Sequence, residues 1–161
     1  MTVGEYNRCV EEYADRLYRF ILKSTKNSEK AEDIVQDSFE KLWRKAKEVQ
    51  FAKSKAYLFT TAYHTMIDTI RKEKRIEHLN MEQAGSISHE MQYSDLGDIL
   101  HRALERLPHV QRTVILLRDY EGYTYEEIGQ ITGLSESQVK VYIYRGRVFL
   151  KQYIGNLQAV I

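Results

Sequence analysis

The chain has 161 residues, is 43% hydrophobic and carries a formal net charge of +1. That apolar fraction is too high for a disordered tail and suffices for one domain or two small ones, while the near-neutral balance excludes a uniform polycation and makes the distribution of charge decisive. One cysteine, Cys9, excludes an internal disulfide framework, and charges mixed from Glu5 onward without a long apolar run predict neither a leader peptide nor a membrane span, so the cytoplasm is the expected compartment.

From Tyr6 to Leu22 the apolar residues Val10, Tyr13, Ala14, Leu17, Phe20 and Ile21 recur at helical spacing and predict an amphipathic helix. Asn27 or Ser28 can cap a second helix, whose apolar stripe is Ala31, Ile34, Val35, Phe39, Leu42 and Trp43. Glu32, Asp33, Gln36, Asp37 and Glu40 occupy its other faces, and the acidic start suits the helix dipole. A third helix is predicted from about Ser54 to about Lys74, with Leu58, Phe59, Ala62, Tyr63, Met66, Ile67 and Ile70 inward. It ends in the cations Arg71, Lys72, Lys74 and Arg75, downstream of Phe51, Tyr57, Phe59 and Tyr63. Two readings are open here. Rings and cations together suit single-stranded nucleic acid, in which bases stack and phosphates meet positive charge; alternatively the rings are core and the cations complement the helix end.

Ile76 to Asp98 shows no sustained period and contains Gly85, Ser86, Ser88, Ser94 and Gly97 among acids, which predicts a linker and a boundary between two domains. The charge follows the same division: +4 over residues 1–75, −5 over 76–98 and +2 over 99–161. The second domain opens on Ile99, Leu100, Ala103, Leu104 and Leu107. Pro108 can begin another helix, in which Val110, Val114, Leu117 and Tyr120 lead to a C-terminal cap at Gly122.

Two helix starts are then written eleven residues apart. Thr124 with Glu127, and Ser135 with Gln138, are each spaced as a capping box, and Tyr123/Ile128 and Leu134/Val139 as the matching hydrophobic staples. Gly133 supplies the left-handed residue that ends the first helix, and so short a joint predicts a helix-turn-helix. Ile128, Ile131, Leu134, Val139 and Ile143 can form its core, with Gly129 allowing close approach of the backbones. The second helix is left to present Ser137, Gln138, Lys140, Val141, Tyr144 and Arg145, followed by Arg147 and Lys151, a mixture of base-reading and phosphate-binding side chains. A solvated basic hairpin is the plainer alternative. The segment from Phe149 to Ile161 is expected to extend the last helix and then fray.

The expected fold is therefore all-α: two small helical domains, residues 1–75 and 99–161, joined by a flexible acidic linker. The C-terminal one is a helix-turn-helix, winged-helix-like without the wing. Enzyme chemistry is not expected. His64, His78, His89, His101 and His109 are scattered, no phosphate-binding glycine loop occurs, and no Cys/His spacing suggests a metal. Neither cofactor nor small-molecule substrate is predicted.

Four stretches, AEDIVQDSFEKLW from Ala31, AYLFTTAYHTMIDTIRKEKR from Ala56, LERLPHVQRTVILLRDYEGYTYEEIG from Leu104 and the helix-turn-helix through Arg147, give the chain a recognisable order. From about Tyr6 to about Ile154 it resembles the extracytoplasmic function (ECF) class of bacterial sigma factors, the promoter-specificity subunits of RNA polymerase. The resemblance implies that the helix with Asp33, Gln36, Asp37, Phe39 and Trp43 docks on core polymerase. It implies that the next helix, with Tyr63, His64, Arg71, Lys72, Lys74 and Arg75, holds the melted minus-ten element, which favours the nucleic-acid reading of that cluster. The loop Val49 to Lys55 is a second candidate for strand capture. Tyr63 and His64 stand where the family often has a basic-polar pair. The helix-turn-helix would read the minus-thirty-five element in the major groove, through Ser137, Gln138, Lys140, Val141, Tyr144, Arg145, Arg147 and Lys151. The partners implied are core RNA polymerase, promoter DNA and an anti-sigma factor, with no direct membrane contact. The competing functions are a stand-alone helix-turn-helix regulator, which would bind its operator without polymerase, and an adaptor that binds protein only.

Overall fold

The structure, a computed structural model, describes residues 1–79 and 96–159; among them seven α-helices and no strand are present. The first helix, α1, runs from Val3 to Thr25, three residues beyond the periodic pattern at each end. Its start is fixed by a capping box. Thr2 Oγ1 accepts from Glu5 N at 3.1 Å, and Glu5 Oε1 accepts from Thr2 N at 2.9 Å. It stops at Lys26, whose φ of 60° breaks the helical run. Asn27 then caps α2, Ser28–Arg44, by accepting from Lys30 N at 3.0 Å. After a short 3-10 turn at Phe51–Lys53, α3 spans Ser54–Leu79.

The expected linker began at Ile76, but α3 continues past it. Ile76 and Leu79 are 56% and 82% exposed, so the last turn is carried by backbone propagation rather than by burial, and burial was the signal that the periodicity measured. At the far side α4, Leu96–Arg106, opens three residues before Ile99. The remainder of the expected linker, residues 80–95, lies outside the described residues, as do Val160 and Ile161 of the expected fraying end.

Pro108 precedes α5, His109–Ile115, which widens into a π turn over Leu116–Tyr120 before Gly122 turns the chain at a φ of 74°. A regular helix to Gly122 was expected there. In its place Glu121 N bonds back five residues to Leu116 O at 3.1 Å. The last two helices are α6, Tyr125–Thr132, and α7, Glu136–Ala159.

In the N-terminal half α1, α2 and α3 pack on one another around Leu17, Phe20, Ile21, Leu42, Leu58 and Met66, all essentially inaccessible. Each such side chain contributes about 1.5–3 kcal/mol relative to exposure. In the C-terminal half α7 packs against α4, α5 and α6 around Leu104, Val114, Leu117, Ile128, Val139 and Ile143. The halves share one apolar core. Phe59 of α3 lies 5.5 Å from Phe20 on one side and 5.5 Å from Tyr123 on the other, and α3 packs on α6. Polar contacts join the halves beside these rings. Arg112 Nη2 donates to the Ser24 carbonyl at 2.7 Å, and Arg16 pairs with Glu121 at 3.1 Å.

Candidate nucleic-acid interface

The helix-turn-helix is built by local bonds that the sequence specifies residue by residue. Glu127 N donates to Thr124 Oγ1 at 3.1 Å and Thr124 N to Glu127 Oε1 at 3.0 Å; Gln138 N donates to Ser135 Oγ at 3.1 Å and Ser135 N to Gln138 Oε1 at 2.9 Å. Gly133 adopts a φ of 80°, and a β-carbon on Gly129 would stand 2.9 Å from the Leu134 carbonyl oxygen. Both glycines are required. Ile128, Ile131, Val139 and Ile143 close the core beneath the turn.

On α7 this leaves Ser137, Gln138, Lys140, Val141, Tyr144, Arg145, Arg147 and Lys151 all exposed. Ser137, Val141, Tyr144, Val148 and Lys151 follow helical spacing along one face, with Lys140 and Arg145 on its flanks. Tyr144 is 70% exposed and Val141 43%, an apolar strip that suits thymine methyl groups. Two of the expected contacts are partly committed elsewhere. The Gln138 carboxamide oxygen is bound in the cap, so only its NH2 group faces outward. Arg147 is held by both oxygens of Asp119, at 2.6 and 3.3 Å, which raises its pKa above the usual value through the hydrogen bond and the charge. That pair spans 28 positions and two elements, so no local pattern announced it. Arg145 and Lys151 make no ion pair among the described residues.

On α3 the expected set divides. His64, Arg71, Lys72, Lys74 and Arg75 are exposed, whereas Tyr63 is 9% exposed and belongs to the core. Burial pushes its phenol pKa up. Tyr63 is thus corrected from a contact residue to a packing residue, because it falls on the stripe of Phe59, Ala62 and Met66. His64, one position on, turns outward into a cleft between α2 and α3.

That cleft, of about 470 Å³, is lined by Lys41 and Arg44 from α2 and by Tyr57, Thr61, His64 and Thr65 from α3, among others. Lys41 Nζ bonds Asp37 at 2.9 Å and Thr65 Oγ1 at 3.4 Å. Cations on one wall and rings on the other can hold a phosphate and stack an unpaired base. Lys41, Arg44 and Thr61 belong to none of the site residues expected from the sequence. The signal present was a second period on α3, Tyr57, Thr61, His64/Thr65 and Asp68, opposite the apolar stripe.

On α2, Asp33, Gln36, Glu40, Trp43 and Arg44 are exposed and Asp37 half-buried along one face. Phe39 is rotated away and is 8% exposed. Its ring meets Tyr6 edge-on at 6.5 Å, and its carbonyl accepts from Tyr6 Oη at 3.0 Å. Phe39 is therefore core rather than interface. Trp43, 51% exposed with its ring 4.9 Å from Tyr6, is the aromatic this face offers.

A helical chain with an exposed helix-turn-helix face and a separate cleft lined by cations and rings has the form of a protein that engages DNA at two places. Comparison with known proteins fits that class. Residues 9–76 match the family description Sigma-70 region 2, and residues 97–150 match Sigma-70, region 4. RNA polymerase sigma factor SigV of Bacillus subtilis is 34% identical over 140 residues, which cover 85% of this chain and 83% of that one. ECF RNA polymerase sigma factor SigE of Mycolicibacterium smegmatis is 31% identical over 159 residues, 94% of this chain but 62% of that protein, so the chain spans less than two thirds of this relative. The sigma factor RpoE of Bartonella quintana, solved in complex with the anti-sigma factor NepR, matches with a TM-score of 0.80 at 26% identity, covering 95% of this chain and 98% of that one. The chain belongs to the ECF family of RNA polymerase sigma factors.

Proposed function

We propose that the chain directs core RNA polymerase to two-part promoters, as a specificity factor with no chemistry of its own. The observation that carries this is the pairing, in one chain, of the exposed α7 face and the cation-and-ring cleft between α2 and α3. The α7 face would read the minus-thirty-five duplex through Ser137, Lys140, Val141, Tyr144 and Arg145, with Lys151 on phosphate. The cleft, with Arg71, Lys72, Lys74 and Arg75 further along α3, would hold the unpaired minus-ten strand. The outward stripe of α2, with Asp33, Gln36, Asp37 and Trp43, would dock on polymerase through acids around one exposed aromatic.

The compartment is the cytoplasm, where polymerase works, and no described helix is long and apolar enough to cross a membrane. A proteinaceous inhibitor, of the kind that accompanies the Bartonella relative, is the natural regulator. The test is capture of purified bacterial core polymerase followed by run-off transcription from fragments of the host genome. Transcripts that start at a shared two-part motif only when this chain is added are the expected result. Tight DNA binding with no polymerase capture would instead make it a stand-alone regulator.

A further inference from the structure

Where the two halves meet, a cavity of about 290 Å³ opens between the end of α1, the far part of α3 and the first turn of α5. This is far more room than one water needs. Its walls include Ser24, Lys26 and Lys74 from the N-terminal half and His109 and Arg112 from the C-terminal half. Three of the four buried polar side-chain atoms without a partner among the described residues belong to this wall: Ser24 Oγ, His109 Nε2 and Arg112 Nε. Ser24 and Arg112 are 1% and 6% exposed. A cluster of orphaned polar atoms around one cavity calls for something to satisfy them.

The charge around the cavity identifies that partner as an anion. Lys26, Lys30, Lys74 and Arg112 face two carboxylates, and both are engaged: Glu73 with Lys30, and Glu105 with His101 at 3.2 Å. Arg112 Nη1 donates to the Glu105 and Leu107 carbonyls and Nη2 to the Ser24 carbonyl, and Lys26 Nζ also donates to the Glu105 carbonyl. Burial, then the positive charge of Arg112, Lys74 and Lys26, holds the His109 imidazole neutral down to about pH 4. An excess of cations over acids in a half-enclosed space is what a doubly charged oxyanion would neutralise.

We propose that this cavity binds a small phosphate-type oxyanion, held by Lys26 and Lys74 from one half and by Arg112 and His109 from the other. The anion closes the halves on each other, because its ligands come from both. It also occupies Lys74, one of the cations assigned above to the unpaired strand. The last consequence rests on the proposed function; the binding itself does not.

The experiment is a calorimetric titration of the full chain with inorganic phosphate near neutral pH, with ionic strength held constant by chloride. Saturable one-to-one uptake is expected, weakened about tenfold or more by Lys26→Gln and by Lys74→Gln, each of which removes one charge-assisted contact. Both lysines are more accessible than Arg112, so these variants keep the fold that Arg112→Ala would endanger. A second readout is the His109 imidazole resonance, whose titration should move to higher pH when phosphate is bound. Adenosine 5′-monophosphate is titrated in parallel. Tighter binding than phosphate assigns the site to a phosphorylated nucleotide and weaker binding to the free anion, and either supports the site. No saturable uptake of either probe, or equal uptake in both lysine variants, overturns it.

Discussion

His109 makes the folded chain sensitive to mild acid. In the unfolded chain its imidazole titrates near the ordinary value of about 6.5, but in the folded chain it resists protonation until about pH 4. Between these values the unfolded state binds a proton that the folded state refuses. The stability associated with the neutral ring is therefore complete above about pH 6.5 and is lost progressively as the pH falls towards about 4. Urea unfolding in phosphate-free buffer at about pH 7.5 and about pH 5 should show this loss, and His109→Asn should flatten it. An equal loss in both proteins would show that His109 is not the source of the acid sensitivity. The two faces of α2 separate by a different measurement. Phe39→Ala should cost about 3–5 kcal/mol of folding stability, because a buried ring is deleted. Gln36→Ala should leave thermal unfolding in place and weaken polymerase capture. Loss of capture at an unchanged melting temperature in Phe39→Ala would return that ring to the interface.

At the scale of the element, the helix-turn-helix was legible because its determinants are local. Two capping boxes, two staple pairs and one left-handed glycine lie within seventeen residues, and the boxes and the glycine do in the structure what their spacing requires. The face of α2 was less legible. Phe39 and Trp43 are both aromatic and one turn apart, so periodicity alone places both on the stripe, whereas in the structure Phe39 is 8% and Trp43 51% exposed. The α2–α3 cleft needed two helices to be crossed before Lys41 and Tyr57 shared a wall. Gly129 tests the local logic. Alanine is favoured over glycine in a helix by about 1 kcal/mol, yet here its β-carbon would meet the Leu134 carbonyl oxygen, which belongs to the backbone of the turn. Overpacking of this kind costs about 1–3 kcal/mol, so Gly129→Ala should lower stability despite the better propensity. Gly146→Ala should cost as well, since its β-carbon would overlap Cδ1 of the buried Ile115, although there a side-chain end rather than backbone must shift. Paired thermal melts of the two variants give the order; a more stable Gly129→Ala would mean that the turn has slack which the packing hides.

At the scale of the molecule, the charge pattern and the period break at Ile76 predict two helical units, and in the structure these pack on each other through side chains that no single element announces. Tyr123 is legible in the sequence as a staple residue, and in the structure its ring completes the series from Phe20 through Phe59. Arg112 lies on the short helix α5, where no sequence pattern singles it out. In the structure it is one of the polar ties between the halves, with Nη1 on the Glu105 and Leu107 carbonyls of its own half and Nη2 on the Ser24 carbonyl of the other. A lysine in its place keeps the charge, but a single ammonium cannot reproduce a planar fork that reaches both sides. Arg112→Lys should therefore release Ser24 while the bonds within the C-terminal half are partly retained. Small-angle scattering measures the result directly. A compact chain of this length has a radius of gyration of about 15 Å, and the variant should exceed the wild type while keeping its helical circular dichroism. An unchanged radius with a lower melting temperature would show that Phe59 and Tyr123 hold the halves together without the guanidinium. Closure would then be an apolar property, insensitive to the charges around the cavity.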